Sequence, residues 1–228
     1  MSKPPPADET MDDSGDLVDV NTIAVALISV GGALGGTLGG AVLSQRASRA
    51  QAAEQNRRAD LERQEIRAEQ ALQAKRDLYA HLNTSARAYR VAARDAVEAA
   101  VRGESVDPAL LDAAKEAWAE QYSQAQMALA QDVLQIASAL NRSLGVGYSA
   151  VKQLPSSPRL DEAYQRARTW FNGPLSDGVY LLRIMLRHDL GVEGDAHFEQ
   201  TRMQMLAALN SERDSLAHAL AAERSQAN

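Results

Sequence analysis

Few side chains in this sequence stand at spacings that do chemistry. The four histidines are His81, His188, His197 and His218. A helical zinc or di-iron site would need HxxxH, HExxH or Glu-x-x-His, because residues three and four apart share a helix face. None of these patterns occurs. Asp77 and His81 stand four apart and can share a hydrogen bond, but no second pair completes a site. Ser143 and Ser149 lie near Gly145 and Gly147 without forming the GxSxG turn that exposes a nucleophile. The chain has no cysteine, which excludes disulfides, thiolate metal sites and a cysteine nucleophile. The expectation is a non-enzyme with no catalytic, cofactor-binding or metal-binding residue and no cofactor. Aromatic residues make up only 4%, which argues against an aromatic-lined ligand pocket. Trp118 and Trp170 sit on apolar stripes and are expected in the core.

The informative spacing belongs to the glycines. Gly31, Gly35 and Gly39 recur every four residues, and so do Gly32, Gly36 and Gly40. On a helix the two series make one flat stripe, flanked by Leu34 and Leu38, along which two backbones can approach closely. This is the expected helix-packing surface. It lies in a stretch from Val20 to Ser44 without a charged residue, carrying Ile, Leu or Val at nine positions from Ile23 to Leu43. About 20 helical residues cross a hydrocarbon core of roughly 30 Å. In water, six glycines among ten residues would weaken a helix by about 0.8–1 kcal/mol each. A bilayer forces the backbone to satisfy itself, so a transmembrane helix over 20–44 is the favoured reading. Against it, the usual interfacial aromatic belt is missing, since no Trp, Tyr or Phe precedes Tyr79. A cleaved secretory signal would begin with a basic region, and this stretch follows an acidic one.

The flanks set the orientation. Residues 1–19 hold Lys3, six acids and three consecutive prolines, the composition of a disordered acidic tail. The other flank carries Arg46, Arg49, Arg57 and Arg58. These four are the expected topology-setting residues, placing the N-terminus outside and the C-terminal domain in the cytoplasm. The net charge of −6 comes largely from the tail. The remainder is near neutral, with acids interspersed among its arginines, so nucleic acid is not an expected partner.

The rest reads as helix, and nothing alternates with period two. No Pro or Gly occurs from Ser44 to Arg102. Residues 45–77 read as a solvated stalk with a thin apolar face (Leu61, Ile66, Leu72), possible as a coiled coil, and Glu54 and Arg58 form a favourable i,i+4 pair. A helical bundle is expected over 78–228. Its first stripe is Leu78, Leu82, Ala86, Tyr89, Ala93 and Val97, closed by Gly103. Asp107 and Pro108 cap and start a helix whose stripe runs unbroken from Leu111 through Trp118, Tyr122, Val133 and Ile136 to Leu140, ended by Gly145 and Gly147. A short turn of helix covers Tyr148 to Leu154. Ser157 and Pro158 start another helix, carrying Leu160, Tyr164, Ala167 and Phe171, and Asn172-Gly173-Pro174 breaks it. Val179 to Leu186 form a short helix ending near Gly191, and Asp195 caps the last, which uses Phe198, Met205, Leu209, Leu216 and Leu220. Arg183 and Arg187, four apart, read either as a basic surface for anionic lipid or as an ordinary solvated face.

The fold class expected is therefore all-α: one N-terminal transmembrane helix, a stalk and an antiparallel bundle. The function expected is a single-pass, membrane-anchored scaffold or interaction protein. Its partners would be the lipid bilayer, a second copy bound through the glycine stripe, and a protein whose identity the sequence does not give. An oligomeric pore is the first alternative, although Asn21, Thr22, Ser29 and Thr37 offer it only a thin polar lining. A membrane-tethered ligand sensor, with a polar pocket around His81 or His188, is the second.

Overall fold

A computed structural model describes residues 20–104, 108–192 and 197–227, with side chains described from Ser44 onward except at 47, 108, 226 and 227. The acidic tail, Asp107 and Asp195 lie outside the described residues, as do the side chains of the expected span and all six stripe glycines. The described chain is all-helical: α1 Val20–Val101, α2 Pro108–Ala125, α3 Gln131–Gln153, a 3-10 turn Leu154–Ser156, α4 Leu160–Asn172, α5 Pro174–Asp189 and α6 Phe198–Ala227. Among the described residues, no helix is long and apolar enough to cross a membrane. The chain divides into two compact units, residues 1–66 and 67–228.

In the first unit, the side chains described from Ser44 onward are almost all exposed, Leu61 and Ile66 included. Arg58 pairs with Glu54 at 3.0 Å, and Arg63 with Asp60 at 3.2 Å. Exposed pairs of this kind contribute about 0.3–0.5 kcal/mol each.

The second unit is built around α3. Tyr79, Leu82, Ala86, Tyr89, Ala93 and Val97 of α1 are buried, so the apolar stripe expected there is the buried face, except that Tyr79 replaces the half-buried Leu78. Gly103 takes a left-handed φ of +72° and ends α1, with the Glu104 amide donating to the Ala99 carbonyl at 3.0 Å. Gly191 repeats this at the end of α5, where the Val192 amide donates to the Arg187 carbonyl at 2.9 Å. Glycine is needed at both places because an L side chain is strained in that conformation. Gly173 and Pro174 separate α4 from α5 as expected, with Pro174 starting the new helix.

Three expectations about the middle of the chain are corrected. The long helix through Leu140 is two helices, α2 and α3, turned back on each other through residues 126–130. Tyr122 bonds Ser138, Trp118 bonds Asn141, and Tyr148 bonds Asp112. Later residues of α2 thus meet earlier residues of α3, which makes the pair an antiparallel hairpin. The reversal contains neither Gly nor Pro, and the stripe keeps its period on both sides of it. Tertiary packing, which buries both apolar faces at once, dictates the break. Second, Gly145 and Gly147 do not end a helix but lie inside α3. A Cβ at Gly147 would sit 2.9 Å from Trp170 Nε1 and 3.0 Å from the Phe171 ring, so this glycine lets α4 pack closely. Third, Tyr148 to Gln153 continue α3, and the tight turn Leu154–Ser156 follows because Pro155 can neither donate a helical hydrogen bond nor clear the preceding carbonyl.

α4 and α5 run back along α1. Arg168 pairs with Glu98 at 2.9 Å, Arg90 donates to the Phe171 carbonyl at 3.1 Å, and Lys75 meets Asp189 at 2.6 Å. The Tyr79 hydroxyl also donates to Asp189. Burial pushes the Asp189 carboxyl up, but the Lys75 and Tyr79 hydrogen bonds outweigh it and leave the group below its ordinary pKa. A lowered pKa adds stability above the unfolded value of about 4, and that stability is lost as pH falls through the folded value. Asp189→Asn is accordingly expected to be less stable than the natural chain at neutral pH, with the difference vanishing in acid. Denaturation midpoints taken at several pH values, followed by Trp fluorescence, check this; a difference that stays constant with pH contradicts it.

Candidate functional site

A cleft of about 440 Å³ lies where the end of α1 meets the start of α2, the end of α3 and the start of α4. Its walls are apolar, with Ala96 and Ala100 from α1, Leu111 from α2, Val151 from α3 and Pro155 from the 3-10 turn. Leu160, on the expected apolar stripe of α4, is exposed at 41% and forms part of this wall instead of the core. The polar groups are Glu104, Lys152 and Tyr164.

A charged cluster stands beside it. Tyr148 donates to Asp112 at 2.8 Å, and Lys152 contacts both Asp112 carboxylate oxygens at 3.0 and 3.1 Å. The Lys115 ammonium lies 4.2 Å from the Tyr148 ring centroid, a cation–π contact. Hydrogen bonds from Lys152 and Tyr148 hold the Asp112 carboxyl below its ordinary pKa, and the same bond to Asp112 raises that of Lys152. Behind them Tyr89 is buried, which pushes its hydroxyl pKa up, with the charges of Tyr148 and Asp112 adding to the effect. The arrangement can hold a ligand or clamp two helices.

The residues singled out in the sequence do not converge. Asp77 accepts a hydrogen bond from Gln73 at 2.9 Å. His81, His197 and His218 are exposed, and His188 stacks on Phe198 with ring centroids 4.1 Å apart. Neither His81 nor His188 lines this cleft or the two smaller cavities of 230 and 180 Å³. Ser143 is fully buried with no partner for its hydroxyl, and Ser149 donates to the Gly145 carbonyl. Trp118 and Trp170 are both core residues. Arg46, Arg49, Arg57 and Arg58 are exposed. Among the described residues no group of three or more His, Asp or Glu side chains is placed to hold a metal ion.

Sequence reasoning missed the cluster of Asp112, Lys115, Tyr148 and Lys152. Its local halves are visible, since Asp112 and Lys115 are three apart and Tyr148 and Lys152 four apart. Joining them requires the reversal at 126–130. No family model, curated protein or solved structure matches this chain.

Proposed function

We propose that this chain is a single-pass, membrane-anchored helical interaction protein, non-enzymatic, and self-associating through the glycine stripe at Gly31, Gly32, Gly35, Gly36, Gly39 and Gly40. The uncharged stretch Val20–Ser44 carries the reading. It is long enough to span, and its backbone is helical throughout and continuous with the stalk. Arg46, Arg49, Arg57 and Arg58 follow it at once, which favours a cytoplasmic bundle and an external N-terminus. The 440 Å³ cleft has mainly apolar walls with a few polar groups, a lining that suits binding.

Cell fractionation tests the anchor. The full-length chain is expected in the membrane pellet, resisting alkaline carbonate and released by detergent, while a chain lacking 20–44 moves to the supernatant. Recovery of the full-length chain in the aqueous supernatant without detergent overturns the proposal.

A further inference from the structure

A second concavity, about 180 Å³, opens between α1 and α5 and is lined by Asn83, Arg87, Arg90, Ser176, Tyr180 and Arg183, with Val179 at its base. Three arginine side chains line this small space, and no carboxylate is among the lining residues. Asp95 acts on Arg90 through its charge, but its carboxylate is engaged by Arg94. The arrangement contrasts with Arg94, one turn beyond Arg90, which pairs with Asp95 at 2.7 Å. Three like charges along one concavity favour an anion that joins them.

Two further observations indicate an absent partner. Arg90 donates through Nη1 to the Phe171 carbonyl at 3.1 Å, yet its Nε is buried with nothing to bond. Asn83 Oδ1 is likewise buried and unpaired. A half-turn of that amide would exchange the orphan acceptor for an NH₂ donor. Ser143 and Trp170 also carry buried unpaired atoms, but Asn83 and Arg90 are the two that line this cavity, where a ligand with hydrogen-bonding atoms can supply what they lack. The lining is also held in place. The Phe171 carbonyl fixes Arg90, and the Arg183 guanidinium lies 4.9 Å from the Tyr180 ring centroid. Burial lowers the Arg90 pKa from its ordinary value, Arg94 and Arg87 add to the effect and Asp95 only partly opposes it, a direction an added anion would reverse.

We propose that Arg87, Arg90 and Arg183, with Asn83, Ser176 and Tyr180, form a binding site for a phosphate group. One guanidinium satisfies a carboxylate with two parallel hydrogen bonds. Three arginines around one concavity suit a tetrahedral oxyanion, which presents oxygens in several directions. The volume matches about six waters at roughly 30 Å³ each, which admits a phosphate group but leaves little room for what it is attached to. The rest of a phosphate monoester would therefore project outward. The phosphate can arrive free or as the headgroup of an anionic lipid. Nothing here depends on the membrane anchor.

Titration calorimetry on the full-length chain in neutral detergent tests the site, with inorganic phosphate in one arm. Short-chain phosphatidic acid, with phosphatidylcholine of the same chain length as its control, forms the other. Arg87 and Arg183 are exposed, so Arg87→Gln and Arg183→Gln leave packing intact. Each is expected to weaken binding by about tenfold, the loss of one charge-assisted contact. Arg142→Gln, at an exposed position outside this cavity, should change nothing. Binding of inorganic phosphate that is weakened by both variants supports a free-phosphate site. Binding of phosphatidic acid alone, with the same sensitivity, supports a headgroup site. No binding in either arm overturns the proposal, and so does binding that both variants leave unchanged or that Arg142→Gln weakens equally.

Discussion

Phe171→Ala is expected to destabilise the bundle by about 3–5 kcal/mol, the range for emptying a buried aromatic site. Phe171 is fully buried near the C-terminal end of α4. Its ring closes against the backbone of α3 at Gly147, and its carbonyl accepts the hydrogen bond from Arg90 of α1. One residue thus joins three helices. Truncation leaves a cavity that the helices cannot fill, because Trp170 already occupies the adjoining position against Gly147. Net stabilities of domains run at about 5–15 kcal/mol, so a loss of this size removes a large share of the total. Trp118 and Trp170 are both buried in the same unit and report unfolding by fluorescence. The denaturant midpoint should fall sharply. A midpoint shifted by less than a quarter of that expectation would show that α4 is not integral to the core.

Replacing Gly35 and Gly36 together by Ile is expected to abolish self-association while leaving membrane insertion intact. The proposed interface depends on two backbones approaching along a strip without side chains, where dispersion contacts and weak Cα–H···O bonds act over short distances. A branched side chain on each glycine series holds the helices apart and removes those contacts together. Insertion itself should improve, because Ile favours the hydrocarbon core by about 0.3–0.6 kcal/mol and also removes a helix-weakening glycine. Opposite effects on insertion and association are what a packing role demands. Sedimentation in detergent should give a single-chain mass for the double variant and a larger one for the natural chain. An unchanged mass would remove the stripe from the account and leave the anchor standing.

The all-helical class was legible because its signal is local. Apolar residues recur at three and four positions from Leu82 to Val97 and again from Val179 to Leu186, and those faces are the buried ones. The helix ends at Gly103 and Gly191 were legible for a related reason, since a left-handed residue after a helix favours glycine. The glycines of α3 show where such reasoning fails. Gly145 and Gly147 resemble a stop signal, yet nothing lies near a Cβ at Gly145, while one at Gly147 would strike two aromatic rings. Only the neighbour across the interface separates a terminator from a notch, and a sequence does not show neighbours. The reversal at 126–130 was hidden for the opposite reason. Residues 126–130, Gln-Met-Ala-Leu-Ala, are sound helix formers, and their propensity yields to the burial of Trp118 against α3. Both polar sites followed that blindness. Asp112 and Tyr148 are 36 residues apart, and Arg87 and Arg183 are on different helices, so neither group exists until the topology is known.

The order in which the ribosome releases the chain gives the α1 contacts a further meaning. The links from Tyr79 to Asp189, from Arg90 to Phe171 and from Glu98 to Arg168 span 110, 81 and 70 residues. At about 5–20 residues per second, the partners of this face are made several seconds or more after it. The α2–α3 hairpin, with links as short as 16 residues, can close in the meantime. The links of α1 to α4 and α5 are thus completed late, after the hairpin has already supplied the Leu144 carbonyl to Tyr89.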